Sequence, residues 1–224
     1  MRQPAVIFDM DGVLVDTEPS YLQSNTALFR ELGFTIPAEE YASFVGSSAQ
    51  KMWGTLKARF NLEEEVGDLI ARSYRAHLDR LVALESLEPI PGIVALLDRL
   101  TDLALPLGLA SSSPRPVIEL TLKKSGLAGY FPVRVAGDEV ARGKPHPDIF
   151  LATASLLGVP PARCLVVEDS PHGVAGAKAA GMGVVGFANP NSGAQDLSRA
   201  DMIIHSFTAA ELEGLERLLA DRQA

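Results

Sequence analysis

At 224 residues the chain is long enough to bury a full core, as one large domain or two smaller ones. Its 20 Lys and Arg against 28 Asp and Glu give a formal net charge of −8, which argues against nucleic acid or an anionic membrane as partner and favours a small soluble ligand. There is neither a charged leader followed by an apolar stretch nor a long apolar run elsewhere, so no signal peptide or membrane span is expected, and a cytoplasmic monomer is.

The first element of the chain is also the most informative. Val6-Ile7-Phe8-Asp9-Met10-Asp11-Gly12-Val13-Leu14-Val15-Asp16 reads as an apolar strand that ends in two carboxylates one residue apart, followed at once by glycine. On an extended chain, residues two apart point to the same side. Asp9 and Asp11 are therefore expected to share a small volume in which their charges repel, a cost that a cation or a proton-transfer role offsets. Gly12 lets the backbone turn away and leaves both acids at the carboxyl end of the strand, where open parallel sheets place their ligands. An acidic turn after a strand is common in its own right. A calcium loop is excluded, because it needs glycine at its sixth position with further acids between, whereas Gly12 is fourth counting from Asp9 and Val13 is fifth.

From about residue 18 to 87 no strand pattern occurs, only helical stretches rich in Ala, Leu, Arg and Glu, punctuated near 33–37, 45–48 and 61. Glu88-Pro89-Ile90-Pro91-Gly92, whose prolines oppose helix continuation, returns the chain to an alternating pattern. Apolar runs at 5–8, 105–110, 133–136, 164–167, 183–187 and 202–204 read as buried parallel strands, with helical patterns at 92–101, 116–125, 147–157 and 173–180 between most of them. The expected fold is α/β: a Rossmann-like doubly wound parallel sheet formed by residues 1–16 and 89–224, with residues 17–88 inserted as an α-helical cap over the acidic turn. Cys164, the only cysteine, falls inside an apolar strand and reads as a buried thiol in a reducing compartment, with no catalytic role. Gly181-Met182-Gly183-Val184-Val185-Gly186 matches G-x-G-x-x-G but leads from a helix into a strand, the reverse of the dinucleotide order. Gly143-Lys144 is no phosphate-binding P-loop, since Gly137 lies one residue too far upstream and Pro145 takes the Ser/Thr position.

Three further elements flank strand ends. Leu107-Gly108-Leu109-Ala110 runs into Ser111-Ser112-Ser113-Pro114; helix capping explains that pattern, and a hydroxyl with free N–H groups at a helix start also makes an anion site. Gly143-Lys144-Pro145-His146-Pro147 holds one lysine in a loop stiffened by prolines. Val166-Val167-Glu168-Asp169-Ser170 is a second strand ending in acids, and oxygen ligands from two strand ends suit magnesium. Together these elements describe a site for a phosphate ester held by a metal and a lysine.

The segments Phe8 to Pro19, Ala110-Ser111-Ser112-Ser113, Gly143 to Asp148 and Glu168-Asp169-Ser170 resemble, in order, the four sequence motifs of the haloacid dehalogenase superfamily. The resemblance spans nearly the whole chain and runs to the branch of β-phosphoglucomutase and small sugar-phosphate phosphatases. It implies Asp9 as nucleophile, Asp11 as general acid and base, and Ser111, Ser112 and Lys144 as phosphate binders. It further implies Mg²⁺ on Asp9, Asp11 and Asp169 with Glu168 beside it. Where the mutase carries a helix histidine this chain has Tyr21, and where it carries a cap arginine the segment Val45 to Gln50 has Ala49. Tyr21, Gly46, Ala49 and Lys51 are the candidate substrate contacts in the cap, with Arg72 and Arg75 as further cations that inward-turned helices would supply. Both departures favour hydrolysis of a small phosphorylated metabolite over phosphomutase activity, and Asp11 argues against dehalogenation and against a non-catalytic phospho-acceptor. His77, His146, His172 and His205 have no metal-ligand spacing and read as loop or packing residues.

Overall fold

A computed structural model describes residues 3–44, 48–193 and 195–222. β1 (Ala5–Phe8), β2 (Leu107–Ser111), β3 (Val133–Ala136), β4 (Cys164–Glu168), β5 (Gly183–Phe187) and β6 (Met202–Ile204) form one sheet in the order β3-β2-β1-β4-β5-β6. Every neighbouring pair is parallel. The order reverses between β1 and β4, so the crevice outside their carboxyl ends is the switch point where doubly wound sheets bind ligands.

Strand alternation sorts the two faces. Val6, Phe8, Leu107, Leu109, Leu165 and Val167 point to one side, where they pack against α5 (Ile93–Asp102), α6 (Arg115–Lys124) and α9 (Ala209–Asp221). Ala5, Ile7, Ala110, Val166 and Val184 point to the other, under α7 (Asp148–Leu157) and α8 (Pro171–Ala179). Because both faces are covered, the central strands are buried at every position, as the unbroken apolar runs demanded.

Between β1 and α5 the chain makes α1 (Glu18–Glu31), α2 (Ala38–Ala42), α3 (Ala49–Phe60) and α4 (Val66–Ala83), which enclose an apolar cluster of their own around Leu28, Phe29, Trp53, Leu56 and Leu69. The chain leaves and re-enters the sheet layer side by side: Val15 pairs with Pro89, and the Ile90 N–H donates to the Leu14 carbonyl at 2.8 Å. No helix among the described residues is long and apolar enough to cross a membrane.

Boundaries shift where local chemistry overrides the apolar run. β2 starts at Leu107 rather than 105, because Ala104 takes a left-handed turn (φ 53°) and Pro106 contributes only its carbonyl, to the Val6 N–H at 3.0 Å. α8 starts at Pro171, earlier than the expected 173: Ser170 caps it by accepting from the Gly173 N–H, and proline is suited to the first turn. α9 was not anticipated, although Leu212, Leu215, Leu218 and Leu219 carry helical spacing, with Leu215 and Leu219 buried against the sheet.

Candidate active site

β1 and β4 bring the first two acids together by register. Phe8 sits opposite Val167 and the Asp9 N–H donates to the Val167 carbonyl at 3.0 Å, so Asp9 emerges beside Glu168 and Asp169. Carboxylate oxygens of Asp9, Glu168 and Asp169 all lie within 4.8 Å of one another, and all three residues are buried. The Lys144 ammonium, on the loop before α7, reaches across to Asp9 Oδ1 at 2.6 Å and Glu168 Oε1 at 2.5 Å, with only 5 % of its side chain exposed. Glu168 is fully committed, since its other oxygen accepts from the Ser170 N–H and hydroxyl, each at 3.0 Å. Asp169 Oδ2 accepts from Ser192 at 2.7 Å. Asp9 and Asp169 both line a cavity, and Asp9 Oδ2 and Asp169 Oδ1 have no protein donor among the described residues.

Three buried carboxylates against one ammonium leave an excess of two negative charges, which is the condition a divalent cation satisfies. The electrostatics register it. Burial, with Glu168 and Asp11 adding repulsion, pushes the Asp9 carboxyl up to about 8 despite Lys144, and burial followed by Glu168 and Asp9 drives Asp169 well up too. For Lys144 burial opposes the charge, but Asp9 and Glu168 prevail and hold the ammonium above its ordinary value. The residues fit a hard cation with oxygen ligands.

Asp11 departs from the expectation. β1 ends at Phe8, so the period-two rule lapses before Asp11, and Gly12 (φ 78°) turns the chain back so that its N–H donates to the Val15 carbonyl at 2.9 Å. A Cβ at Gly12 would overlap the Asp169 carboxylate, so glycine is required there for space as well as for its dihedral. Asp11, counted among the metal ligands from the sequence, is not in the carboxylate cluster. Its Oδ1 accepts from Thr17 at 2.6 Å, and its Oδ2 from Ser113 at 2.9 Å and Ser111 at 3.2 Å. Glu168, placed beside the metal by the resemblance, is inside the cluster but spends both oxygens on Lys144 and Ser170.

The acids open into a cavity of about 400 Å³ between the sheet's carboxyl edge and the helical insert. Ser112 lines it. Ser111 does not: its hydroxyl, fully buried, donates to Asp11 and accepts from the Ser113 N–H at 3.1 Å. Tyr21 and Ala49 line the insert side, whereas Lys51 and Arg75 are exposed and Arg72 is paired with Glu31 and Glu64; none of these three cations lines the cavity. Gly46 lies outside the described residues. Lys144 is the one lysine or arginine in the lining among the described residues.

Several residues at the site carried no signal that was read. Ser113 and Glu18 lay inside quoted motifs without an assigned role. Glu18 faces the cavity, and burial, then Asp11 and Asp16, push its carboxyl up to about 7. Asn189, whose amide donates to the Gly12 carbonyl at 2.9 Å, and Ser192 sit in the loop after β5, at the same sheet edge as Asp9 and Asp169; that position was their available signal. His172 also lines the cavity, and His77 is a buried packing residue of α4, one of the two readings expected for it.

Residues 4–181 match the haloacid dehalogenase-like hydrolase family. Hexitol phosphatase A of Escherichia coli K12 is 33 % identical over 206 residues, 92 % of each chain. Among solved structures, β-phosphoglucomutase from Clostridium difficile superposes with a TM-score of 0.82 at 25 % identity over 98 % of both chains. CbbY from Rhodobacter sphaeroides in complex with phosphate gives 0.81 at 26 % identity, over 96 % of this chain and 100 % of that one. With four strand-end motifs gathered on one crevice and the family match running through all of them, the chain belongs to the haloacid dehalogenase-like hydrolases.

Proposed function

We propose that the protein is a Mg²⁺-dependent phosphatase that hydrolyses a small phosphorylated metabolite, a sugar phosphate or similar monoester, through a phosphorylated Asp9. The observation that carries this reading is the Lys144 bridge between Asp9 and Glu168 beside Asp169, with Asp11 turned off that cluster under hydroxyl donors. A phosphate monoester dianion repels a carboxylate, and Lys144 offsets that repulsion where Asp9 attacks. Mg²⁺, held by the free oxygens of Asp9 and Asp169, would supply the remaining neutralisation and fix the ester for in-line attack. Asp9 forms a bond to phosphorus as the ester P–O bond breaks, and Asp11 gives its proton to the leaving oxygen. Asp11 then takes a proton from water as the water attacks phosphorus, which frees Asp9 and releases phosphate.

In this reading residues 17–88 are the cap, and residues 1–16 and 89–224 the catalytic core. Neutral hydrogen-bonding walls such as Asn25, Tyr41, Ser73 and Tyr74 suit a hydroxylated leaving group. The likeness to β-phosphoglucomutase favours phosphomutase activity as a second reading. The cavity offers no lysine or arginine beyond Lys144 among the described residues for a second phosphate, which supports hydrolysis. A panel of phosphorylated metabolites assayed for phosphate release tests the proposal: release is expected in Mg²⁺ and lost in excess chelator, and release undiminished by chelator refutes it.

A further inference from the structure

We propose that Tyr21 is a positioning residue for Asp11, its phenol fixing Ser113 as a hydrogen-bond donor to the Asp11 carboxylate so that the helical insert orients the group that protonates the leaving oxygen. The inference rests on the general acid/base reading of Asp11 above.

The direction of the chain follows from valence. Ser113 Oγ lies 2.9 Å from Asp11 Oδ2 and 3.0 Å from the Tyr21 hydroxyl. In the ionised form that takes a proton from water, the Asp11 carboxylate only accepts, and a serine hydroxyl has one proton. Ser113 therefore spends that proton on Asp11, and its lone pair is left to receive the proton of Tyr21. The phenol is kept as a donor, because burial and then the nearby Asp11 raise its pKa well above the ordinary value.

The ring is held in turn by the insert. Tyr21, on α1, stacks on His77 of α4 at 3.6 Å between centroids and 8° between planes. His77 is fully buried and stays neutral, pushed down to about 4 chiefly by burial, with its Nδ1 3.4 Å from the Ser20 hydroxyl. The other two donors to Asp11 have different origins: Thr17 precedes α1 and Ser111 ends β2. Tyr21 is the one link in this set that crosses from the packed insert to the turn after β2. Without its proton, the buried Ser113 hydroxyl is free to rotate and Asp11 loses a fixed partner. Asp9, on Lys144, loses nothing. The defect should then fall on proton donation to the leaving group, and not on attack or on binding.

Aryl phosphates of graded leaving ability separate these steps. In a stopped-flow measurement of phenol release in the first turnover, 4-nitrophenol leaves without help, whereas phenol and 4-methoxyphenol need a proton. Tyr21→Phe keeps the ring and its stack on His77. It is expected to slow release from phenyl and 4-methoxyphenyl phosphate about tenfold more than release from 4-nitrophenyl phosphate, which steepens the leaving-group dependence. Ser113→Ala is expected to steepen the leaving-group dependence equally, and the double variant to be no worse than either single one. A uniform loss across the esters, no loss, or additive losses would overturn the proposal. Asp11→Asn separates the two layers of the argument: if it steepens the dependence and Tyr21→Phe does not, the positioning role fails alone. If Asp11→Asn does not steepen it either, or if the wild type turns over none of the esters, the underlying catalytic reading fails.

Discussion

Chelation should make the protein's stability fall as pH rises from 6 to 8, and saturating Mg²⁺ should abolish that fall. Asp9, Glu168 and Asp169 share the one ammonium of Lys144, and the Asp9 carboxyl is pushed up to about 8 from an ordinary 3.8. In the unfolded chain that carboxyl has lost its proton by about pH 5, while the folded cluster keeps one until about pH 8. The folded state thus binds more protons throughout this window, and the free energy of unfolding falls with rising pH by up to about 1.4 kcal/mol per unit. From pH 6 to 8 the loss comes to about 2 kcal/mol, since the proton is half released at the upper end. For a chain of this length that corresponds to a drop in Tm of roughly 4–8 °C. A bound divalent cation balances the two excess charges and displaces the proton, which removes the slope. Other groups titrate as well: Glu18, at about 7, acts with the same sign, and His77, at about 4, acts with the opposite one below its ordinary 6.5. Neither touches the cluster, so both cancel in the difference between chelated and Mg²⁺-saturated curves. The assay is thermal or urea unfolding at pH 6, 7 and 8 in chelator and in Mg²⁺. Parallel curves would refute the reasoning, and Asp9→Asn should flatten the chelated curve.

Asp9→Asn should leave less than about one per cent of phosphatase turnover with the fold intact by circular dichroism, since it removes the proposed nucleophile and relieves repulsion at the strand end; higher residual activity places the nucleophile elsewhere. Ser192→Ala should raise the Mg²⁺ dissociation constant about tenfold by calorimetry on the substrate-free protein, because Asp169 Oδ2 loses the hydroxyl that orients it, and unchanged binding counts against Asp169 as ligand. β-Glucose 1-phosphate supplied with a trace of the bisphosphate should give phosphate release and no faster formation of glucose 6-phosphate; the reverse ratio assigns the protein as a mutase.

What the sequence made legible was whatever depends on strand ends. A buried parallel strand is an unbroken apolar run, and the residue after it must lie at the sheet's carboxyl edge, so Asp9, Ser111 and Glu168-Asp169 were legible as a group before any geometry, whereas Lys144, well past the end of β3, was legible from its proline-stiffened loop. The stop before the insert and the return through Pro89 and Pro91 were legible for the same reason, as breaks in alternation. Distances across the site were not. Thr17 and Tyr21 find Asp11 and Ser113 through the angle at which α1 leaves the turn, and His77 meets Tyr21 across 56 positions of chain through packing of the insert. Local pattern contains nothing about such pairings.

The acid pair shows where the boundary runs. Spacing two residues apart on a strand places two side chains on one face, which led to a shared volume for Asp9 and Asp11. The strand stops at Phe8, and the left-handed Gly12 and the Met10–Val15 turn point the two carboxylates at different partners: Asp9 at Lys144 within the acidic cluster, Asp11 at three hydroxyls outside it. Under the proposed mechanism that separation suits a two-step transfer, because charge on the nucleophile is relieved by the cations while proton transfer proceeds beside the hydroxyls. Four residues after the strand, Asp9 to Gly12, thus give the two acids different partners, and the division is made by a backbone turn rather than by the identity of either acid.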